Sequence, residues 1–215
     1  MRTTLVAASL LMSAVSVSAS VDAAVLTQAL GDQDFTDGQQ VGSATFTAAN
    51  GADPAPFNTL IGTDVVGPNF SASWTFAGPA IANVSSASIL IGLYEGDSSA
   101  PGDQVQSFTL NGTVNLTALL NTAMNAKGGL TGHEDYYTVN LPAAALTEVA
   151  TGQATFSLTL QNGLGVLGPT DFNGAGLDFA TLTVVTQAVP EPSAWSLSLL
   201  LGAGLLYARR FRKRR

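Results

Sequence analysis

Cysteine is absent from the 215 residues, histidine occurs once as His133, and Arg2 and Lys127 are the only basic residues outside the last seven positions. Each scarcity excludes chemistry. Without cysteine there is no disulfide framework and no thiolate, whether as nucleophile or as metal ligand. His133-Glu134-Asp135 is followed by no second histidine, so the paired imidazoles of a zincin cannot form. No G-x-S-x-G elbow occurs, which leaves an α/β-hydrolase unsupported. Glu95, Glu134 and Glu148 could supply a glycosidase carboxylate pair, yet the body has a single Trp, Trp74, to offer a sugar as a platform. The chain therefore reads as a non-enzyme. His133, set after Gly128, Gly129 and Gly132, reads as a solvated loop residue.

The charges that are present are strongly segregated. Between residues 24 and 188 thirteen acidic residues stand against Lys127 alone, a net charge of −12, while six cations crowd the last seven positions. A body of this sign is repelled by nucleic acid, whose affinity for proteins comes largely from cations on phosphates. Nucleic acid is excluded as a partner.

The two ends read as export signals. Residues 1–23 have the form of a secretory signal peptide: Arg2, an apolar stretch from Leu5 to Val17, then small residues before Ala24. At the other end Pro190 and Pro192 break any preceding element. Ser193 to Ala208 carries no charge and has Trp195 and Tyr207 near its two ends, as interfacial aromatics would stand. Its sixteen residues reach roughly 24 Å as a helix, a marginal span of a hydrocarbon core about 30 Å thick. Arg209, Arg210, Arg212, Lys213, Arg214 and Arg215 then hold the segment by the positive-inside rule.

Val189-Pro190-Glu191-Pro192, an apolar segment and an Arg-rich terminus, in that order over residues 189–215, resemble the PEP-CTERM sorting signal of Gram-negative, exopolysaccharide-producing bacteria. The resemblance implies export, transient residence in the inner membrane and recognition by an exosortase after the work of signal peptidase. It also implies cleavage near Pro190-Glu191-Pro192 and delivery to the cell envelope or to an extracellular exopolysaccharide or biofilm matrix.

Residues 24–188 are long enough for one well-buried domain. Phe70–Phe76 and Ala154–Leu160 alternate apolar with small polar residues, and Tyr137–Leu141 does so too; this is the period of a half-buried strand. Ser88–Tyr94 reads as a central strand and Asp178–Thr186 as a late one. Val105–Leu110, Asn111-Gly112 and Thr113-Val114 read as a hairpin with a type I′ turn. Further strands are expected at Val25–Leu30, Ser43–Ala48 and Thr59–Thr63. Two short helices interrupt them. One carries Leu116, Leu119, Leu120, Ala123 and Met124 between Asn115 and Gly128, and the other runs from Pro142 to about Ala150. The pattern predicts a mainly β protein, an antiparallel β-sandwich of jelly-roll type, with a signal helix before it and a transmembrane helix after it.

Asp32, Asp34 and Asp37, with Asp171 and Asp178 before the last strand, have the hard oxygen ligands that calcium takes. The spacing is not that of an EF-hand, and ordinary solubilising acidic turns explain the same residues. No other cofactor is indicated. The expected role is structural or adhesive. A carbohydrate-binding module, calcium-dependent or not, is the alternative, with Tyr94, Tyr136 and Tyr137 as its available aromatics.

Overall fold

The alternating segments pair into two antiparallel sheets in the computed structural model of the chain, which describes residues 23–63, 66–96, 102–162 and 172–188. In chain order the elements are β1 (Val25–Leu30), β2 (Gln39–Gln40), α1 (Ser43–Asn50), β3 (Leu60–Ile61), β4 (Ser71–Ala77), β5 (Val84–Tyr94) and β6 (Val105–Leu110). There follow β7 (Val114–Asn115), α2 (Thr117–Lys127), β8 (His133–Asn140), α3 (Ala143–Ala150), β9 (Gln153–Leu160) and β10 (Ala175–Thr186). One sheet has the order β1-β10-β5-β8-β2, with β3 also on β10; the other has the order β4-β9-β6-β7. This is the expected antiparallel sandwich.

Period-2 alternation fixes which side chains lie between the sheets. Ile89, Ile91 and Leu93 of β5, Tyr137 and Val139 of β8, and Leu177, Leu182 and Val184 of β10 face inward from the first sheet. Trp74 and Phe76 of β4, Phe108 and Leu110 of β6, and Phe156, Leu158 and Leu160 of β9 meet them from the second. Trp74 lies at 6.0 Å from Phe156 and 6.4 Å from Phe108, ring centroid to ring centroid, so the body's one tryptophan is core and not platform. Fully burying each such aromatic or aliphatic side chain contributes about 1.5–3 kcal/mol.

The helices close the ends. In α2, Leu120 and Met124 enter the core one turn apart and Gly128 ends the helix in the left-handed conformation, its N–H donating to Met124 C=O. Asn115 Oδ1 accepts from Thr117 N–H at 2.9 Å, although Leu116 occupies the cap position itself. Asn121 ties α2 to the second sheet: its Oδ1 accepts from Gln104 N–H at 3.0 Å and Val105 N–H at 2.8 Å, and its Nδ2 donates to Val105 C=O at 3.2 Å. The 111–112 turn pairs Leu110 with Val114 as a short hairpin.

Three helices form among the described residues, not two. The expected strand at Ser43–Ala48 is α1, and its one large apolar side chain, Phe46, is fully buried. The strand expected at Thr59–Thr63 is reduced to the two residues of β3. His133, expected in a loop, opens β8 and is half-buried.

Residues 31–59 form an excursion between β1 and β3, both of which pair with β10. Its β2 reaches β8, where Gln39 pairs with Glu134, so the excursion passes over the outer face of the first sheet. A second small core lies beneath it: Phe35, Val41, Phe46 and Tyr94, with Leu60 alongside. Ala23–Gln187 is one compact unit. Among the described residues no helix is long and apolar enough to cross a membrane. The expected signal peptide, the Val189–Pro192 motif, the apolar span and the six terminal cations lie outside the described residues.

Candidate functional site

Two features of the sandwich have functional geometry: a buried acidic cluster beneath the excursion, and an uncharged hydroxyl face on the opposite sheet.

The cluster begins with a bulge. Leu177 pairs with Leu93 and Phe179 with Gly92, leaving Asp178 as the extra residue in β10. A bulge turns neighbouring side chains toward one face. Leu177 enters the main core, while Phe179 packs edge-on against Tyr136 at 4.9 Å. Gly92 makes room there: a Cβ at this position would stand 2.5 Å from the Phe179 ring and 2.6 Å from Glu134 Oε1. Gly176 does the same for the ring of Phe46. Glycines inside strands thus mark where other groups approach the backbone closely.

Glu134 and Asp178 are both fully buried, and Asp135 nearly so. Asp178 Oδ2 accepts from Asp34 N–H at 3.3 Å, which fastens the excursion to the bulge. Burial, with Asp178 and then Asp135 and Asp37 nearby, pushes the Glu134 carboxyl up to about 10. Burial pushes Asp178 up to about 6 despite the donors that face it. Burial also raises Asp135, and the neighbouring Lys127 partly offsets this.

Lys127 is committed elsewhere. Its Nζ pairs with Asp37 Oδ1 and lies 4.0 Å from Asp135 Oδ1. Burial works against the charge on Asp37, but Lys127 and the Tyr136 N–H, 2.9 Å away, hold its carboxyl below the usual range. Tyr136 O–H donates to Phe35 C=O, and His133 Nδ1 lies 3.1 Å from Gly38 C=O. Together these contacts pin the excursion along β8.

Of the five residues expected to ligate calcium, the fold brings Asp34 to Asp178 through its backbone. Asp37 is turned to Lys127. Asp32 and Asp34 stay exposed near Asp53, whose Oδ2 accepts from Asp32 N–H at 3.1 Å. Burial and the charges of Asp53 and Asp32 raise Asp34. Asp171 lies outside the described residues. Among the described residues no three histidine, aspartate or glutamate side chains are grouped so as to hold a metal ion. Sequence reasoning named Glu134 only as a glycosidase carboxylate and missed its burial beside Asp178, and it missed Asn50 altogether; the signal that could have found them is the pair of mid-strand glycines.

The aromatics open to a carbohydrate reading are spent in packing. Tyr94 stacks on Phe46 at 4.8 Å, Tyr137 is in the main core, and Tyr136 is half-buried against Phe179.

The hydroxyl face covers the outer side of the second sheet. Ser71 pairs with Thr159 at 3.0 Å, Ser73 with Ser157 at 3.0 Å and Thr75 with Thr155 at 2.9 Å, oxygen to oxygen across β4 and β9. The register extends two of these rows onto β6, through Ser107 beside Thr159 and Thr109 beside Ser157. No charged residue occurs in β4, β6 or β9, although the body as a whole carries −12. Strand geometry sets the backbones that carry these hydroxyls about 4.8 Å apart across the sheet and successive rows roughly 6.6 Å apart along it.

No family model matches the chain, and no curated protein matches it. Among solved structures it is similar to the crystal structure of dimeric latent PorU from Porphyromonas gingivalis, at 10% identity and a TM-score of 0.36. The similarity covers 80% of this chain and spans only 14% of that one, so it supplies no argument about function.

Proposed function

We propose that the chain is an exported protein of the cell envelope or extracellular matrix, sorted through residues 189–215, whose sandwich serves a structural or adhesive role. The observation that supports adhesion is the uncharged hydroxyl face on an otherwise acidic domain. Rows of Ser and Thr hydroxyls both donate and accept, so they match the hydroxyls of a neutral polysaccharide without ion pairing. Many weak contacts made at once by tethered copies give avidity without a deep pocket. The partners in this reading are signal peptidase, an exosortase-type enzyme, the inner membrane during sorting, and exopolysaccharide.

The test is retention of the full chain on the exopolysaccharide of the producing bacterium, compared with the double variant Ser73→Lys, Thr159→Lys. Both positions are on the outer face, so the melting temperature should hold while retention falls. Equal retention of variant and wild type would remove the adhesive role from this face. A discrete hit on a glycan array that survives the double variant would favour a carbohydrate-binding module instead.

A further inference from the structure

Glu134 and Asp178 come from different strands and are fully buried, and among the described residues no N–H or O–H reaches Glu134 Oε1, Glu134 Oε2 or Asp178 Oδ1. Asn50 of α1 is buried to the same degree; its Nδ2 donates to Phe46 C=O at 3.1 Å and its Oδ1 also has no partner. The Asn50 amide N–H is directed at Asp178, so its Oδ1 would reach the same place only by a turn of the amide, and Asp178 is the strongest charged neighbour of Glu134. Buried polar atoms are almost always satisfied, and four orphan oxygens on three residues beneath the same excursion need an explanation. Among the described residues nothing supplies it. The single cation there, Lys127, is taken by Asp37 and lies beside Asp135. Protonation relieves the repulsion and most of the desolvation cost, yet it still leaves buried carboxyl oxygens without donors, each at the cost of an unmade hydrogen bond.

We infer that Glu134, Asp178 and Asn50 hold a hard divalent cation of the calcium type beneath the 31–59 excursion. All the donors are oxygens, two carboxylates and an amide, which suits calcium and not the softer transition metals. Two negative charges are balanced by one divalent ion, and backbone carbonyls and water can complete the coordination. The exposed Asp32 and Asp34 and the half-buried Asp53 lie close by, with Asp34 joined to Asp178 through its backbone, and would draw a cation toward the cluster. The ion would clamp α1, β8 and β10 together, so the excursion would be its principal beneficiary.

The experiment uses the full chain in mild detergent, freed of metal with EGTA and then returned to CaCl2 or to NaCl at equal ionic strength. Terbium serves as a second probe, because Tyr136 and Tyr94 lie beside the cluster and would sensitise its luminescence. At a calcium concentration about 100 times the Kd the melting temperature should rise by roughly 5–10 °C over the sodium control. Glu134→Gln and Asp178→Asn keep the shapes and remove the charges; each should abolish both the rise and the terbium signal. No calcium shift in the wild type would overturn the proposal, and a Glu134→Gln variant that also melted higher would identify a dry, proton-holding pair in its place. An equal shift in wild type and both variants would move calcium to the exposed aspartates and equally refute this site.

Discussion

Removing divalent ions should make the stability of the sandwich fall steadily as pH rises, against the usual behaviour of an acidic domain. Glu134 is pushed from 4.5 to about 10 and Asp178 from 3.8 to about 6, chiefly by burial. Both groups are raised on folding, so the native state binds more protons than the unfolded chain between the two values. Stability is then full below the unfolded pKa and is lost as pH climbs toward the folded one. Between pH 5 and 8 Glu134 stays protonated when folded and ionised when unfolded, a difference of one proton, or about 1.4 kcal/mol per pH unit. For a domain of this size that is roughly 3–5 °C in Tm per pH unit. Asp178 steepens the fall up to about pH 6, and Asp135 and Asp34, both raised, act with the same sign. Asp37 is lowered and so loses its contribution only in acid, below this window. The assay is a series of thermal melts in EGTA at pH 5, 6, 7 and 8 and constant ionic strength. Calcium should flatten the slope, since the ion stands in for the proton, and Glu134→Gln should flatten it without calcium. A Tm that is level or rising across the window in EGTA would refute the reasoning.

Two further perturbations test the packing around the site and the join between α2 and the second sheet. Gly92→Ala sets a methyl 2.5 Å from Phe179 and 2.6 Å from Glu134 Oε1, and should cost about 1–3 kcal/mol, read by urea unfolding; a change under about 0.5 kcal/mol would mean Glu134 does not lie over β5. Asn121→Ala removes three hydrogen bonds and strands two buried N–H groups, and should cost about 2–4 kcal/mol in the same assay.

The sandwich was legible in the sequence wherever one face of a strand is buried and the other wet. β4 and β9 alternate Trp74, Phe76, Phe156 and Leu158 with Ser and Thr, and that periodicity gives both the core and the hydroxyl face. Asn115 and Gly128 bounded α2 by their local chemistry. Legibility failed where tertiary cover decides. Ser43–Asn50 has a strand-like alternation of small residues around Phe46, but it folds as a helix that seats the Phe46 ring over Gly176. His133, Glu134 and Asp135 are too polar to read as a buried strand; the excursion that covers them lies about a hundred residues earlier in the chain. Of the aspartates after β1, Asp34 meets Asp178 through its backbone N–H, because β1 and β10 pair, while Asp37 turns to Lys127. Glu134 and Asn50 were hidden in segments whose burial is non-local.

The most direct test of the proposed export and sorting is the intact mass of the protein recovered from the cells that make it and from their surroundings. The account expects a species beginning at Ala24 and ending near Pro190-Glu191-Pro192, without the apolar span and the six terminal cations. Recovery of the unprocessed 21.9 kDa chain, or of any species that keeps residues 1–23, would contradict export and sorting through these two ends.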